Sequence, residues 1–328
     1  MIQFAYSKPN NQKAAIDALK KDPSAKFIAG GTNLVDLMKR GVTSPGRLVD
    51  INGLPLKNIS IYKGGLNIGA LALNSDVSEH KLVLQQHPLL SLALKAGASP
   101  QLRNMATVGG NMMQRTRCPY FYDTSLPCNK REPGTGCSAL EGYNRMHAIF
   151  GHSDKCIAVH PSDMCIALVA LDANVIVDGP KGNRKIKFQD FHRLPGDAPE
   201  KDNNLQKGEL IVAVEIPDSP FTKNVHYLKV RDRTSYAFAL VSVAAALQLD
   251  GRTIKNARLA MGGVAHKPWR LLQAEKALIG KPANENTFTA AAEIAMQGAK
   301  GFKHNAFKIT MGKNAILDAL KTAAAKTG

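Results

Sequence analysis

Four of the five cysteines, Cys118, Cys128, Cys137 and Cys156, fall in one stretch, with nine, eight and eighteen residues between them. Pro119, Pro127, Pro133, Gly134, Gly136 and Gly142 crowd the same stretch, which shows little apolar periodicity. A loop this long is either functional or held by something other than a core. Four thiolates on it are the donors of a metal centre or of two disulfides. Structural zinc usually takes its sulfurs from short C-x₂₋₄-C knuckles, and none is present. An iron–sulfur cluster accepts wider spacing and needs four thiolates. Disulfides suit an exported chain, but the cysteine count is odd, and Met1 to Pro9 lacks the charged and apolar regions of a signal peptide. Spacing alone leaves iron–sulfur, zinc, and disulfides or free thiols open. Cys165 lies in the apolar run Met164 to Leu171 and reads as a small core residue.

The second candidate is Phe27-Ile28-Ala29-Gly30-Gly31-Thr32-Asn33-Leu34. It reads as a strand end, a two-glycine turn and a helix capped by Thr32 or Asn33 and stopped at Gly41. Bare backbone amides at such a turn form an anion site, typically for phosphate. The plainer reading is a tight strand-to-helix turn. The pattern is neither G-x-G-x-x-G nor a P-loop. A second turn, Thr107-Val108-Gly109-Gly110-Asn111, has the same character, and two such turns could clamp the two phosphates of one dinucleotide.

The elements around these motifs are short and mixed. A helix is expected over 13–21, a strand over 47–51, and a hairpin of 59–61 with 66–70. Helices follow over 75–85 and 88–98. Beyond the cysteines, Asp163 opens an apolar helix, where its carboxylate suits the dipole. A hairpin joins 173–177 to 186–188, and 209–217 is a strand. After about Phe221 come strands at 227–231, 240–249 and 257–262, then helices at 270–279, 287–298 and from Asn314 to the C-terminus. This is an α+β pattern rather than a strict βαβ repeat.

Composition is ordinary for a globular protein, at 44% hydrophobic and 21% charged residues, except for a formal charge of +17. The basic residues are spread along all 328 positions and aromatics make up only 6%, unlike a nucleic-acid-binding element. An acidic partner surface, or a basic protein kept soluble by its charge, explains it better. The longest apolar run, Ala237 to Leu247, is too short to span a bilayer.

Taken in order, these segments resemble the FAD-binding subunit of the molybdenum hydroxylase (xanthine dehydrogenase) family. The resemblance rests on the two glycine turns, Pro161-Ser162-Asp163, Gly208-Glu209-Leu210-Ile211, Lys229-Val230-Arg231-Asp232-Arg233 and Gly262-Gly263-Val264-Ala265-His266-Lys267-Pro268-Trp269-Arg270. It implies a two-subdomain FAD-binding domain of the vanillyl-alcohol-oxidase type over 1–220, divided near residue 57. A smaller α+β domain of the CO dehydrogenase flavoprotein C-terminal type would follow over 221–328. The loop 115–157 is absent from most members. It is similar to that of the flavin subunit in bacterial periplasmic aldehyde oxidoreductases, three-subunit enzymes whose flavin subunit also carries a [4Fe-4S] cluster. By that resemblance Cys118, Cys128, Cys137 and Cys156 are cluster ligands and Cys165 is not.

The same resemblance assigns FAD contacts to Lys26, Phe27, Ile28, Ala29, Gly30, Gly31, Thr32, Asn33 and Leu34 at the pyrophosphate, with Thr107, Gly110 and Asn111 in the second turn. Asp163 would meet the ribityl or ring region, and Leu210, Ile211 and Lys229 the isoalloxazine. No residue is expected to act on substrate in this chain. Aldehyde oxidation would take place on a large molybdenum-cofactor subunit. Electrons would arrive through a small [2Fe-2S] subunit and leave to oxygen, a ferredoxin or another carrier. Export to the periplasm would require a signal-bearing partner; the alternative is a cytoplasmic enzyme. Two other functions are compatible with the motifs: a zinc-stabilised basic nucleic-acid-binding protein, and a stand-alone FAD-dependent reductase.

Overall fold

The computed structural model describes residues 1–326. Three short parallel strands, β1 (Ala5–Ser7), β2 (Ala25–Ile28) and β3 (Arg47–Asp50), form a sheet in the order β1-β3-β2. Helices Gln12–Lys21 and Leu34–Lys39 connect them. The first is closed by Asn11, whose Oδ1 accepts from the Ala14 amide at 2.8 Å. A five-stranded sheet follows from β4 (Ile59–Tyr62), β5 (Gly65–Gly69), β6 (Asn174–Asp178), β7 (Arg184–Lys187) and β8 (Leu210–Ile216). Its order is β4-β5-β8-β6-β7, every pairing antiparallel. The last sheet, β12-β11-β10-β9, uses β9 (Val225–Val230), β10 (Val241–Asp250), β11 (Thr253–Gly262) and β12 (Trp269–Arg270). The α+β expectation holds. The expected helix over 75–85 is two pieces, Asn74–Glu79 and Lys81–Gln86, because His80 is extended at φ −66°, ψ 129°. The last two positions of the expected C-terminal helix lie outside the described residues.

The apolar run around residue 240 has its explanation in β10, where Val241 to Leu247 are all buried. Side chains alternate between the faces of a strand. Val241, Val243, Ala245 and Leu247 enter a core with helices Leu272–Leu278, Glu285–Ala295 and Phe307–Ala325. Ala244 and Ala246 enter a second core with helices Pro88–Ala96 and Asp163–Ala170. Phe221, Val225 and Tyr227 lie in that second core beside Val214 and Ile216 of β8, so apolar packing is continuous across residue 220. No helix among the described residues is long and apolar enough to cross a membrane.

The cysteine-bearing loop has almost no core of its own and is stitched down by polar bonds. The Ile149 and Phe150 amides donate to the Val264 carbonyl at 2.9 and 3.0 Å, and the His160 amide to the Ala265 carbonyl at 2.9 Å. Asn305 Nδ2 donates to the carbonyls of His147 and Ala148 at 3.2 and 3.1 Å. Lys308 Nζ donates to the His147 carbonyl at 2.8 Å and to that of Gly263. Lys308 is fully buried, and burial pushes its ammonium down to about 7, with Arg145 adding to the effect.

An ammonium held below its unfolded value is protonated in the unfolded chain and neutral in the native one between those two values. Stability contributed by this group therefore rises as pH climbs from 7 toward 10.5. Compared with Lys308→Met, the wild-type chain should gain stability over that window, with a slope approaching about 1.4 kcal/mol per pH unit. Urea unfolding of both proteins at pH 7.5 and 9.5 measures it. The same stability difference at both pH values would rule it out.

Candidate functional site

The two glycine turns meet. A Cβ on Gly30 would stand 1.9 Å from the Met105 carbonyl oxygen, so only glycine lets the two backbones touch there. Gly31 has φ +71°, in the left-handed region that glycine favours. The amides of Gly30, Gly31, Thr32, Asn33 and Leu34 have no acceptor among the described residues. In the second turn, the amides of Val108 and Gly109 donate to the Ala72 and Ala70 carbonyls, and Thr107 Oγ1 takes the Gly110 amide at 3.2 Å. The first turn is thus an open set of donors, whereas the second is a closed brace.

Both turns border a cavity of about 830 Å³, within the roughly 300–1,000 Å³ common for cofactor pockets. Lys26 through Leu34 form one wall, Thr107 and Gly110 a second, and Leu210 and Ile211, at the start of β8, a third. Strand β8 reaches the second turn through a bulge near Val212, whose carbonyl accepts from the Ala70 amide at 3.0 Å. Arg115, Arg193, Lys201 and Lys207 add positive charge to the lining. Burial pushes the Lys26 ammonium below its usual range and Arg115 adds to this, while Asp202 partly offsets it. An anionic ligand would relieve that strain.

Three predicted contacts lie elsewhere. Asn111 turns its side chain away from the large cavity: its Oδ1 accepts from Ser162 Oγ and Gln114 Nε2, each at 2.6 Å. Asp163 borders a second cavity of about 250 Å³. Ser162, not Asp163, caps the helix Asp163–Ala170. Asp163 instead accepts from Lys229 Nζ and the Tyr227 hydroxyl, both at 2.8 Å. Lys229 lines neither cavity, and its ammonium is neutralised by Asp163 and bonded to the Ala96 carbonyl at 3.1 Å. Neither Thr32 nor Asn33 caps the helix Leu34–Lys39 with its side chain. Asn33 Oδ1 accepts from the Arg115 amide at 2.9 Å, tying the start of the cysteine loop to the first turn.

Cys118, Cys128, Cys137 and Cys156 all line one small cavity and none is disulfide-bonded. Cys128 and Cys137 face each other across an antiparallel bridge, and Cys156 sits in a second bridge with Ser153. The turn between the first two is built on Asn129, whose Oδ1 accepts from the amides of Gly134 and Gly136 at 3.1 and 2.8 Å. Burial pushes the Cys118 thiol up to about 12 and the Cys156 thiol up to about 11, and raises Cys137 as well. Opposing this, the amides of Tyr120 and Phe121 favour the Cys118 thiolate, those of Ala139, Ile157 and Leu140 the Cys137 thiolate, and that of Ala158 the Cys156 thiolate.

A single zinc ion with Zn–S bonds of about 2.3 Å would draw its sulfurs to about 3.8 Å from one another. Among the described residues, no three of these cysteines bring their sulfurs within 4.8 Å of one another. Cys165 is fully buried beside His160 and His192, apart from the other four thiols.

A half-buried ionic network joins the large cavity to the cysteine-lined one. Asp202 pairs with Arg115 at 2.6 Å and with Lys130. Lys130 also donates to the Pro199 carbonyl at 2.8 Å and to His266 Nε2 at 2.6 Å. Burial by itself would raise the Asp202 carboxyl, but Lys130 and Arg115 outweigh it and bring it down to about 2. Sequence reading missed Asp202 and Arg193, which sit in an irregular segment with no motif.

Residues 2–219 match the family of FAD-binding domains in molybdopterin dehydrogenases, and residues 226–322 match the CO dehydrogenase flavoprotein C-terminal domain. The chain belongs to the FAD-binding subunits of the molybdenum hydroxylase family. It is 49% identical to the aldehyde oxidoreductase FAD-binding subunit PaoB of Escherichia coli K12, over 99% of this chain and 100% of the relative. It is 30% identical to the glyceraldehyde dehydrogenase medium chain of Sulfolobus acidocaldarius, over 87% of this chain and 84% of the relative. Its fold is similar to that of a chain in the structure of carbon monoxide dehydrogenase from Hydrogenophaga pseudoflava, with a TM-score of 0.78, 25% identity and all of both chains covered. Membership in this flavoprotein family leaves the nucleic-acid reading without support.

A Cβ on Gly31 would approach Val35 Cγ2 at 3.1 Å, and with φ at +71° a substitution there acts through the backbone. A left-handed non-glycine residue costs about 1–2 kcal/mol. Gly31→Val should flip the turn and weaken FAD binding at least about tenfold, with only a small loss of thermal stability. Flavin fluorescence titration of the deflavinated protein is the measurement. Wild-type affinity in the variant would refute the role of the turn.

Proposed function

We propose that this chain is the FAD- and [4Fe-4S]-carrying electron-transfer subunit of a molybdenum-dependent aldehyde oxidoreductase. It would assemble with a large molybdenum-cofactor subunit and a small [2Fe-2S] subunit, and pass electrons to an external acceptor such as oxygen, a ferredoxin or another carrier. The convergence of Cys118, Cys128, Cys137 and Cys156 on one cavity carries this reading. The 49% identity to an aldehyde oxidoreductase subunit, over nearly the full length of both chains, supports the assignment of the reaction.

Bound FAD supplies two-electron redox chemistry, and a bound cluster supplies one-electron transfer. The amides of Gly30 to Leu34 would receive the pyrophosphate, and Lys26 and Arg115 would balance its charge. Thr107 and Gly110 would close the opposite wall, braced by Asn111 through Ser162. Leu210 and Ile211 would pack on the ring system. The Asp163–Lys229 ion pair, held by Tyr227, would set the shape of the neighbouring wall rather than supply a free cation. Four thiolates would hold the cluster, stabilised by the amides directed at Cys118, Cys137 and Cys156. Arg115 lines the large cavity and Cys118 the small one. They are three residues apart, no more than about 11 Å of extended backbone, so the cluster would lie close to the pyrophosphate side of the flavin cavity.

Iron, acid-labile sulfide and flavin analysis of anaerobically purified protein tests the whole reading. About four irons and one FAD per chain, with an EPR signal on reduction, is the expected result. FAD without iron, even after anaerobic reconstitution, would sink the cluster assignment and leave the family intact. Cys128→Ser should lose most of the iron and keep most of the FAD; unchanged iron would remove Cys128 from the ligand set.

A further inference from the structure

Cys118 differs from the other three thiols in two respects. It alone of the four borders both the small cavity and the 250 Å³ cavity. It is also the only one of the four with a side-chain hydrogen-bond partner among the described residues: His147 Nε2 lies 3.1 Å from Cys118 Sγ. Cys137 and Cys156 have backbone amides or a charged neighbour, but no imidazole.

We propose that His147 donates a hydrogen bond from Nε2 to the Cys118 thiolate and thereby raises the reduction potential of the cluster. The inference rests on the [4Fe-4S] reading above. A ligating thiolate carries no proton, so Nε2 must be the donor, which leaves Nδ1 bare. Nδ1 has no partner among the described residues, so this tautomer strands a lone pair instead of a buried N–H. The residue is clamped from the C-terminal region: its carbonyl accepts from Lys308 Nζ at 2.8 Å and Asn305 Nδ2 at 3.2 Å. Its own amide donates to the Asn144 carbonyl at 3.1 Å.

A donor at a ligating sulfur withdraws negative charge from the cluster and favours the reduced, more negative state. Because Cys118 is the wall shared with the second cavity, the bond lies on the side of the cluster that faces it. His147 is a positioning and tuning residue, since it touches a ligand rather than any reacting substrate.

The test is an EPR-monitored redox titration of wild type, His147→Leu and His147→Gln, each with iron and sulfide determined. Leucine removes the donor, and the glutamine amide can restore one. In His147→Leu the ratio of reduced to oxidised cluster at a fixed potential should fall about tenfold, a drop of about 59 mV for a one-electron couple. His147→Gln should recover most of it. An iron-loaded His147→Leu with the wild-type potential overturns the role of His147 while the cluster reading stands. A wild-type protein without iron overturns both, and iron analysis tells the two failures apart. If His147→Leu fails to fold or load, wild type labelled with ¹⁵N-histidine decides. A ¹⁵N coupling in the pulsed-EPR spectrum of the reduced cluster supports the bond, and its absence overturns it.

Discussion

The arrangement depends on one half-buried carboxylate. Asp202 is paired with Arg115 from the wall of the large cavity and with Lys130 from the cysteine loop, and Lys130 reaches on to His266 from the C-terminal sheet region. Lys130 is only 2% exposed, so its charge cannot be left to water. Removing one partner of a buried ion pair typically costs about 3–5 kcal/mol, because the other charge is stranded. Three segments distant in sequence are thereby held at one point. His266 completes the network, since its Nδ1 donates to the Arg193 carbonyl at 2.9 Å and leaves Nε2 free to accept from Lys130.

This explains how the cysteine loop can be ordered with so few apolar contacts. Its small apolar cluster contains Leu37, Val42, Phe121 and Cys128, Ile149 and Phe150 join the C-terminal core, and much of the rest of its fixation is polar. Arg131 donates to the carbonyls of Tyr120 and Phe121 at 2.9 and 3.0 Å, and the Tyr143 amide donates to the Tyr120 hydroxyl at 2.6 Å. Each such bond contributes modestly, about 1 kcal/mol net, but an unmade one at a buried site costs more. A loop held this way keeps four thiols on the lining of one small cavity. It also directs backbone amides toward the sulfurs, which is what thiolate ligands require in a site sheltered from water.

The flavin side of the molecule relies on division of labour between two similar-looking turns. In the first, the left-handed Gly31 leaves a row of amides unspent and facing no protein acceptor. In the second, Thr107 and the carbonyls of Ala70 and Ala72 consume the equivalent donors, and the turn serves as a brace. Both have paired glycines because each must press against other backbone: Gly30 against Met105, and Gly109 against Ala70, whose carbonyl oxygen a Cβ on Gly109 would approach to 3.2 Å. Composition alone does not distinguish a binding turn from a bracing one. The difference lies in whose carbonyls happen to be near.

Local signals were enough to read the α+β class, the hairpins, the apolar β10 run, both turns and the four cysteines as a set. These features depend on neighbours within a few residues, or on residue types with a narrow chemical repertoire. Cys165 was legible as core for the same reason. The roles of Asn111, Asp163 and Lys229 were not, because each depends on a partner 51 to 66 residues away: Ser162 for Asn111, and Lys229 for Asp163. Asp202 carried no motif, and its importance comes from being the carboxylate that Arg115 and Lys130 share among the described residues. The sequence by itself therefore determined the secondary elements and the chemistry available to the chain. Tertiary structure decided which donors stay unspent, which charges cancel and which sulfur borders both cavities, because hydrogen bonds and ion pairs are settled by proximity in space and not by residue type.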